Sequence, residues 1–199
     1  MKVGVFKFLV LAVMAVFAGV PAVSGGVVYN VPAVEGDATE VLQQVIELAV
    51  AGGKGGEIRL APGATYHVYR TSATPKLRHI SNTTSEQENN DNTKYIALYF
   101  QGADGVTLNG NGAMIVTHGE LTTFALEQCK DVTLKNFTLD AADLSVPEFT
   151  VVKAEPRKVR VKVTAPSRYE IAADSTFYWV GEGWRFTEGL AQVYFPTER

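Results

Sequence analysis

The sequence predicts an all-β protein: a right-handed parallel β-helix with an N-terminal capping helix and an inserted antiparallel β-meander or small barrel. Three observations predict it. A single amphipathic helix, residues 37–51, precedes a chain made otherwise of short strands and turns. Two stretches, LYFQGADGVTL (98–108) and FALEQCKDVTL (124–134), align without a gap at an offset of 26 residues. From about Pro147 this pattern gives way to long strands of strict apolar/polar alternation.

Composition bounds the function before any motif is read. The chain has 199 residues, 46% of them hydrophobic, which is enough for a core and excludes wholesale disorder. A length near 200 residues allows one domain. A formal net charge of −3 offers no basic footprint, so nucleic acid is not an expected partner. The single Cys129 excludes an intrachain disulfide and any zinc site built from several cysteines.

Residues 1–24 read as a secretory signal peptide. Lys2 and Lys7 precede FLVLAVMAVFAGV, an uncharged run, and Pro21 leads into the small residues of Ala22-Val23-Ser24, with cleavage expected after Ser24. An uncleaved membrane anchor is the alternative, but a run of about 13 apolar residues is short for a bilayer. No Cys follows to carry a lipid. The expectation is a protein exported to the periplasm or secreted, without stable membrane insertion once cleaved. Losing two lysines makes the remainder more acidic, which suits neutral glycans better than polyanions.

In residues 37–51, Val41, Leu42, Val45, Ile46 and Ala49 fall on one face at three- and four-residue spacing. Asp37 and Glu40 have the spacing of a capping box, and the glycine run 52–56 ends the helix. Strand character begins at Glu57. Ile58 and Leu60 alternate with polar neighbours, a Pro-Gly turn interrupts, and Tyr66 and Val68 resume the alternation. Residues 81–93 contain no apolar side chain and read as a solvated loop.

The strands that follow are short, β-branched or aromatic, and punctuated by Gly, Asn and Asp. Their 26-residue offset places Val106 over Val132 and Leu108 over Leu134, as inward ladders of a solenoid whose coils stack on one another. An antiparallel sandwich with two similar strand pairs is the alternative. The helix favours the solenoid, because the first coil needs a lid over its apolar end. In the meander, Val159, Val161 and Val163 alternate with Arg160 and Lys162, the half-buried antiparallel pattern. The expected organisation is residues 25–146 for the cap and first coils, 147–185 for the antiparallel insertion, and 186–199 returning toward the β-helix.

Several polar residues are candidates for ligand contact. Asp140 and Asp143 form the best local carboxylate pair, either at a groove or as ordinary turn residues capping their own backbone. Glu182 and Trp184, in the sequence GEGW, could grip and stack on a sugar ring; alternatively Trp184 packs the insertion onto the solenoid. His118, in THGE, could meet a sugar hydroxyl or simply bond within its turn. His67 alternates with Tyr66 and Val68 and reads as a strand-face residue, and His79 as an anchor of its loop. Asn109 and Asn111 read as turn residues able to ladder between coils. Asn82 and Asn136 open glycosylation sequons that matter only in a eukaryotic host, and Cys129 reads as a small semi-buried filler. Three scattered histidines give no metal site, and no cofactor is expected.

Beyond these local readings, the order of helix, glycine run and GEIRLAPGATYHV resembles the opening of pectin-lyase-like β-helix proteins. Together with HISN (79–82), YIALYFQGADGVTLNGNGAMIVTHGEL (95–121), DVTLKNFTLD ending at Asp140, VPEFTVV (146–152) and VGEGW (180–184), it resembles glycoside hydrolase family 110, the bacterial exo-acting α-1,3-galactosidases. The likeness departs after HISN, where Thr83-Thr84-Ser85 stand in place of a His and acidic or amide residues. The resemblance implies removal of terminal α-1,3-linked galactose from glycans with inversion, by two carboxyl groups roughly 6.5–9.5 Å apart. It also implies that the catalytic aspartates lie on later coils, beyond Arg199, so this chain is expected to be an N-terminal part of a longer enzyme and inactive alone. No capping helix or polar terminal repeat closes the solenoid at LAQVYFPTER, which agrees with that expectation. The competing functions are a non-catalytic carbohydrate-binding β-helix and a polysaccharide lyase on the same scaffold. The lyase would need calcium-binding acidic clusters that this sequence lacks.

Overall fold

A computed structural model describes residues 26–78, 92–143 and 147–187. The described chain is mostly β-strand, with one α-helix, and contains parallel sheets. In order it forms β1 (Val28–Val31), α1 (Thr39–Ala51), β2 (Glu57–Leu60), β3 (Thr65–Tyr69), a 3-10 turn (Arg70–Ser72), β4 (Thr74–Leu77), β5 (Thr93–Gln101), β6 (Thr107–His118), β7 (Thr122–Glu127) and β8 (Thr133–Ala141). Five antiparallel strands follow: β9 (Phe149–Glu155), β10 (Lys158–Val163), β11 (Arg168–Ile171), β12 (Phe177–Gly181) and β13 (Trp184–Phe186).

The apolar stripe of α1 is what folds it onto the sheets. Leu42, Val45, Ile46 and Ala49 are buried, and the helix packs against β5 and the first strands. Gln43 completes this seam by pairing with the backbone of Tyr99: its Nε2 donates to the Tyr99 carbonyl and its Oε1 accepts from the Tyr99 N–H. The helix start differs from the expected capping box. The N-cap is Ala38, with no side-chain cap bond, and Asp37 lies one residue earlier. Asp37 still accepts from the N–H and hydroxyl of Thr39, at 2.9 and 2.5 Å, so a short Asx-type contact replaces the reciprocal Glu40 bond.

Two parallel ladders carry the architecture. One runs β1–β2–β6, with β3 and β8 also on β6, all parallel; the other pairs β5 with β7. Partner residues include Leu98 with Phe124, Phe100 with Leu126, Thr107 with Thr133 and Leu108 with Leu134. Ile58, Leu108 and Leu134 thus form an inward row three strands deep. Ile58, Val106 and Leu108 are at most 1% exposed, while Val132 and Leu134 are half-buried against the same core. Two departures from the expected order appear. β4 pairs antiparallel with β5, and Asn92 is buried just ahead of β5, whose first residue is Thr93, so neither belongs to a solvated loop. The rest of that expected loop, residues 81–91, and the HISN segment with His79 lie outside the described residues.

A bend at 110–112 divides β6, because its first half follows β2 and its second half follows β3. Against β8 the register shifts there, Asn109 facing Lys135 and Ala113 facing Phe137. Gly110 is required by the close approach of this bend. A Cβ on it would lie 2.4 Å from the Phe137 Cβ and 2.6 Å from the Asn136 carbonyl oxygen. Gly110→Ala is therefore expected to cost about 1–3 kcal/mol by overpacking against backbone; urea unfolding of the variant checks it, and an unchanged midpoint would refute the packing. Asn109 spans the neighbouring strands here: it donates to Glu57 at 3.0 Å and accepts from Asn136 at 3.0 Å.

The antiparallel strands make two small sheets, β9–β10 and β11–β12–β13. A bulge between Arg160 and Val161 keeps Phe149 opposite Val163 and Val151 opposite Val161. Aromatic rings join the sheets: Phe149 of β9 stacks on Trp179 of β12 at 5.9 Å, and Phe177, on the same strand as Trp179, meets it edge-on at 4.8 Å.

Candidate functional site: an imidazole–carboxylate face

Strand alternation sets which residues can form a site. On β3, Tyr66 and Val68 are fully buried, so His67 and Tyr69 point to the outer face. Parallel register places Tyr69 opposite His118 at the end of β6, and their rings stack at 4.1 Å with planes 11° apart. His67 Nδ1 lies 2.8 Å from His118 Nε2. His118 Nδ1 in turn lies 3.1 Å from Glu182 Oε2. A carboxylate and two imidazoles from three separate parts of the chain therefore form one continuous chain of contacts.

The turns around it explain how these parts meet. Gly119 has φ +79°, and the space beside it is taken by the Arg70 Cβ and the Glu182 carbonyl. Glu182 sits in the β12–β13 turn, followed by Gly183 at φ +79°. Arg70 lays its guanidinium over the Tyr95 ring at 3.9 Å. Beyond it a shallow groove is lined by Arg70, Tyr95, Glu120 and Thr122.

The helix start locks the back of this face. Ala38 N–H donates to the His67 carbonyl at 2.8 Å, and Tyr69 N–H donates to the Thr39 hydroxyl at 2.8 Å. Burial pushes the Asp37 carboxyl up, but hydrogen bonds from Ser72 and Thr39 outweigh it and hold the carboxyl below its ordinary value of 3.8. Hydrogen bonds from Arg59 and Asn109 likewise hold Glu57 below 4.5. Both carboxyls bind protons less readily folded than unfolded. Their contribution to stability is therefore complete above those ordinary values and is lost as pH falls through the lower folded ones. Thermal unfolding is expected to hold steady down to about pH 5 and to weaken progressively below about pH 4, with Asp37→Asn flattening part of the slope. Stability that rises on acidification would contradict this.

The other candidates fall elsewhere. Asp140 shares the outer row of His67 and Val116 in the register of β3, β6 and β8, but its Oδ1 accepts from the Ala141 N–H at 2.8 Å. It belongs to strand β8 and not to the turn after it. Asp143 is paired with Arg168. Trp184 covers Gly181 of its own hairpin, where a Cβ would lie 2.2 Å from the indole, and stacks on Phe186 at 5.1 Å. The Cys129 sulfur is half-buried near the carbonyls of Phe100 and Glu127. Of the sequence candidates, only His118 and Glu182 come together. Their third member, His67, reads in sequence as a plain strand-face residue, since its neighbour on β6 is set by long-range register.

A second polar cluster lies on the outer face of β4, β5 and β7. Glu127 accepts from Arg78 at 2.6 Å and from the Tyr99 hydroxyl at 2.5 Å, with Lys76 over the Tyr99 ring at 4.6 Å. These bonds, Tyr99 first and then Arg78, hold the Glu127 carboxyl low. The cluster ties three strands together through one oxygen of Glu127, Oε2. Among the described residues no group of three or more His, Cys, Asp or Glu is arranged to hold a metal ion, and no helix is long and apolar enough to cross a membrane.

Fold and site together define a mostly-β protein of parallel sheets, capped by one helix, that presents an imidazole–carboxylate face. No protein-family model matches the chain. Among curated proteins it is similar to Alpha-1,3-galactosidase A of Bacteroides thetaiotaomicron, 36% identical over 137 residues, covering 69% of this chain and 24% of that protein. It is 32% identical over 142 residues to Alpha-1,3-galactosidase A of Bacteroides fragilis, covering 71% and 23%. To Alpha-1,3-galactosidase B of Phocaeicola vulgatus it is 30% identical over 160 residues, covering 78% and 26%. The chain spans about a quarter of the length of these relatives.

Proposed function

We propose that the chain serves a glycosidase of the α-1,3-galactosidase kind and that its described residues recognise galactose-terminated glycan. The observation that carries this reading is the similarity to proteins of that name over more than two thirds of the chain. The chemistry of the face is compatible with it. Imidazole nitrogens, a carboxylate and a stacked Arg–Tyr pair can exchange hydrogen bonds with sugar hydroxyls without a metal-binding set. We read the parallel ladders as the first coils of a right-handed, pectin-lyase-like β-helix of glycoside hydrolase family 110, and residues 1–24 as an export signal.

Hydrolysis with inversion asks for one carboxyl group to protonate the departing oxygen and another to activate water from the opposite face. Asp140 and Asp143 are engaged by the Ala141 N–H and by Arg168, so we assign that pair to neither. A purely carbohydrate-binding role is the second reading, favoured by that same engagement. The test is binding and turnover of an α-1,3-galactosyl disaccharide by the full chain, with a β-linked galactosyl disaccharide as control. Selective binding of the α-linked sugar without galactose release is the expected result. Release of galactose would place the acid and base within this chain. Equal affinity for both sugars, or none for either, would overturn the galactoside reading.

A further inference from the structure

We propose that Glu182, His118 and His67 form a tautomer-fixed chain that presents the bare Nε2 of His67 as a hydrogen-bond acceptor for a sugar hydroxyl. The ligand's identity rests on the galactoside reading above; the tautomers do not. An ionised carboxylate has only lone pairs to offer, so the 3.1 Å contact with Glu182 requires the proton on His118 Nδ1. A neutral imidazole carries one N–H, which leaves His118 Nε2 with a lone pair. That lone pair lies 2.8 Å from His67 Nδ1, a distance that demands a proton between the two nitrogens. With both rings neutral, it must belong to His67 Nδ1. The remaining nitrogen, His67 Nε2, is then an acceptor.

The surroundings hold this arrangement and leave its end open. Tyr69, stacked on His118, fixes the plane of the central ring. The Ala38 N–H fastens the backbone of His67. Among the described residues no hydrogen bond engages His67 Nε2, and the residue is half-buried on the outer face of β3. Glu182 is thus a positioning residue: it acts through His118 and sets which nitrogen of His67 bears the proton. The relay also gives the β12–β13 turn a purpose at a face built by β3 and β6, because only the antiparallel part supplies the carboxylate.

Nitrogen-15 imidazole spectra of the full chain in alkaline buffer test the proposal directly, since the chain has only three histidines. The expected result is His67 in its Nδ1–H form, unchanged in Glu182→Gln, where an acceptor oxygen remains. In Glu182→Ala, His118 is free to take its Nε2–H form, and His67 is expected to invert to Nε2–H. Adding methyl α-galactoside is expected to shift His67 Nε2 in the wild type and in Glu182→Gln, with affinity about tenfold weaker in Glu182→Ala. If the alanine variant fails to fold, the wild type and Glu182→Gln still decide. His67 found as Nε2–H in the wild type overturns the inference and leaves the galactoside reading intact. Galactoside binding that leaves His67 unmoved also overturns it. Absence of galactoside binding by every signal overturns the galactoside reading and the hydroxyl assignment with it, whatever the tautomer.

Discussion

Phe100→Ala is expected to lower the free energy of unfolding by about 3–5 kcal/mol, the largest loss of any single truncation considered. Phe100 is fully buried in β5, opposite Leu126 in the parallel register with β7. Its strand is among those on which α1 packs, so the cavity would open between the helix and the stacked strands. The backbone pairing of β5 with β7 holds the strands in place, so they collapse poorly into such a space. For a chain of this size the melting temperature would fall by on the order of 10 °C. Denaturant titration of the purified variant measures this, and a loss below about 1 kcal/mol would mean that the interior is packed otherwise.

The second large effect belongs to one hydroxyl group. Tyr66 is fully buried, and its hydroxyl accepts from the Ala61 N–H at 3.0 Å while facing the carbonyls of Val31 and Pro32, each at 3.0 Å. It pins the Pro-Gly turn between β2 and β3 to the end of β1. Burial raises the pKa of the phenol, so the proton stays on and can be donated. Tyr66→Phe keeps the ring and its packing but orphans one donor and at least one acceptor. At about 1–3 kcal/mol for each unsatisfied group, the expected loss is about 3 kcal/mol. That a volume-conserving change should cost nearly as much as removal of a core ring is the informative contrast. A Tyr66→Phe variant as stable as the parent would show that these groups find water instead.

What could be read from the sequence follows physical range. The helix stripe of Leu42, Val45, Ile46 and Ala49 and the alternation of Ile58, Leu60, Tyr66 and Val68 are properties of neighbours in the chain, and they reappear as buried faces. The bend at Gly110 and the antiparallel pairing of β4 with β5 depend on which strands meet, and no local pattern states that. Asp37 shows the same limit on a small scale. Its spacing to Glu40 fits a capping box, yet its carboxylate bonds to Thr39 instead, and the helix begins after Ala38. For the site, His118 and Glu182 stand out separately, one beside a glycine turn and one inside another. Nothing local joins residues 64 positions apart, or ties His67 to His118 across 51. Their contact exists because parallel register sets Tyr69 beside His118 and because Gly119 leaves room for the hairpin that carries Glu182.

That joined face is the centre of the account, and calorimetric titration of an α-1,3-galactosyl disaccharide into the full chain and into His118→Ala tests it most directly. Removing His118 breaks the only ring that touches both Glu182 and His67 in this relay. The account predicts binding to the parent chain and a loss of about tenfold or more in the variant, the worth of one or two hydrogen bonds to ligand, with the fold intact by circular dichroism. Undiminished affinity in a folded His118→Ala variant would contradict it.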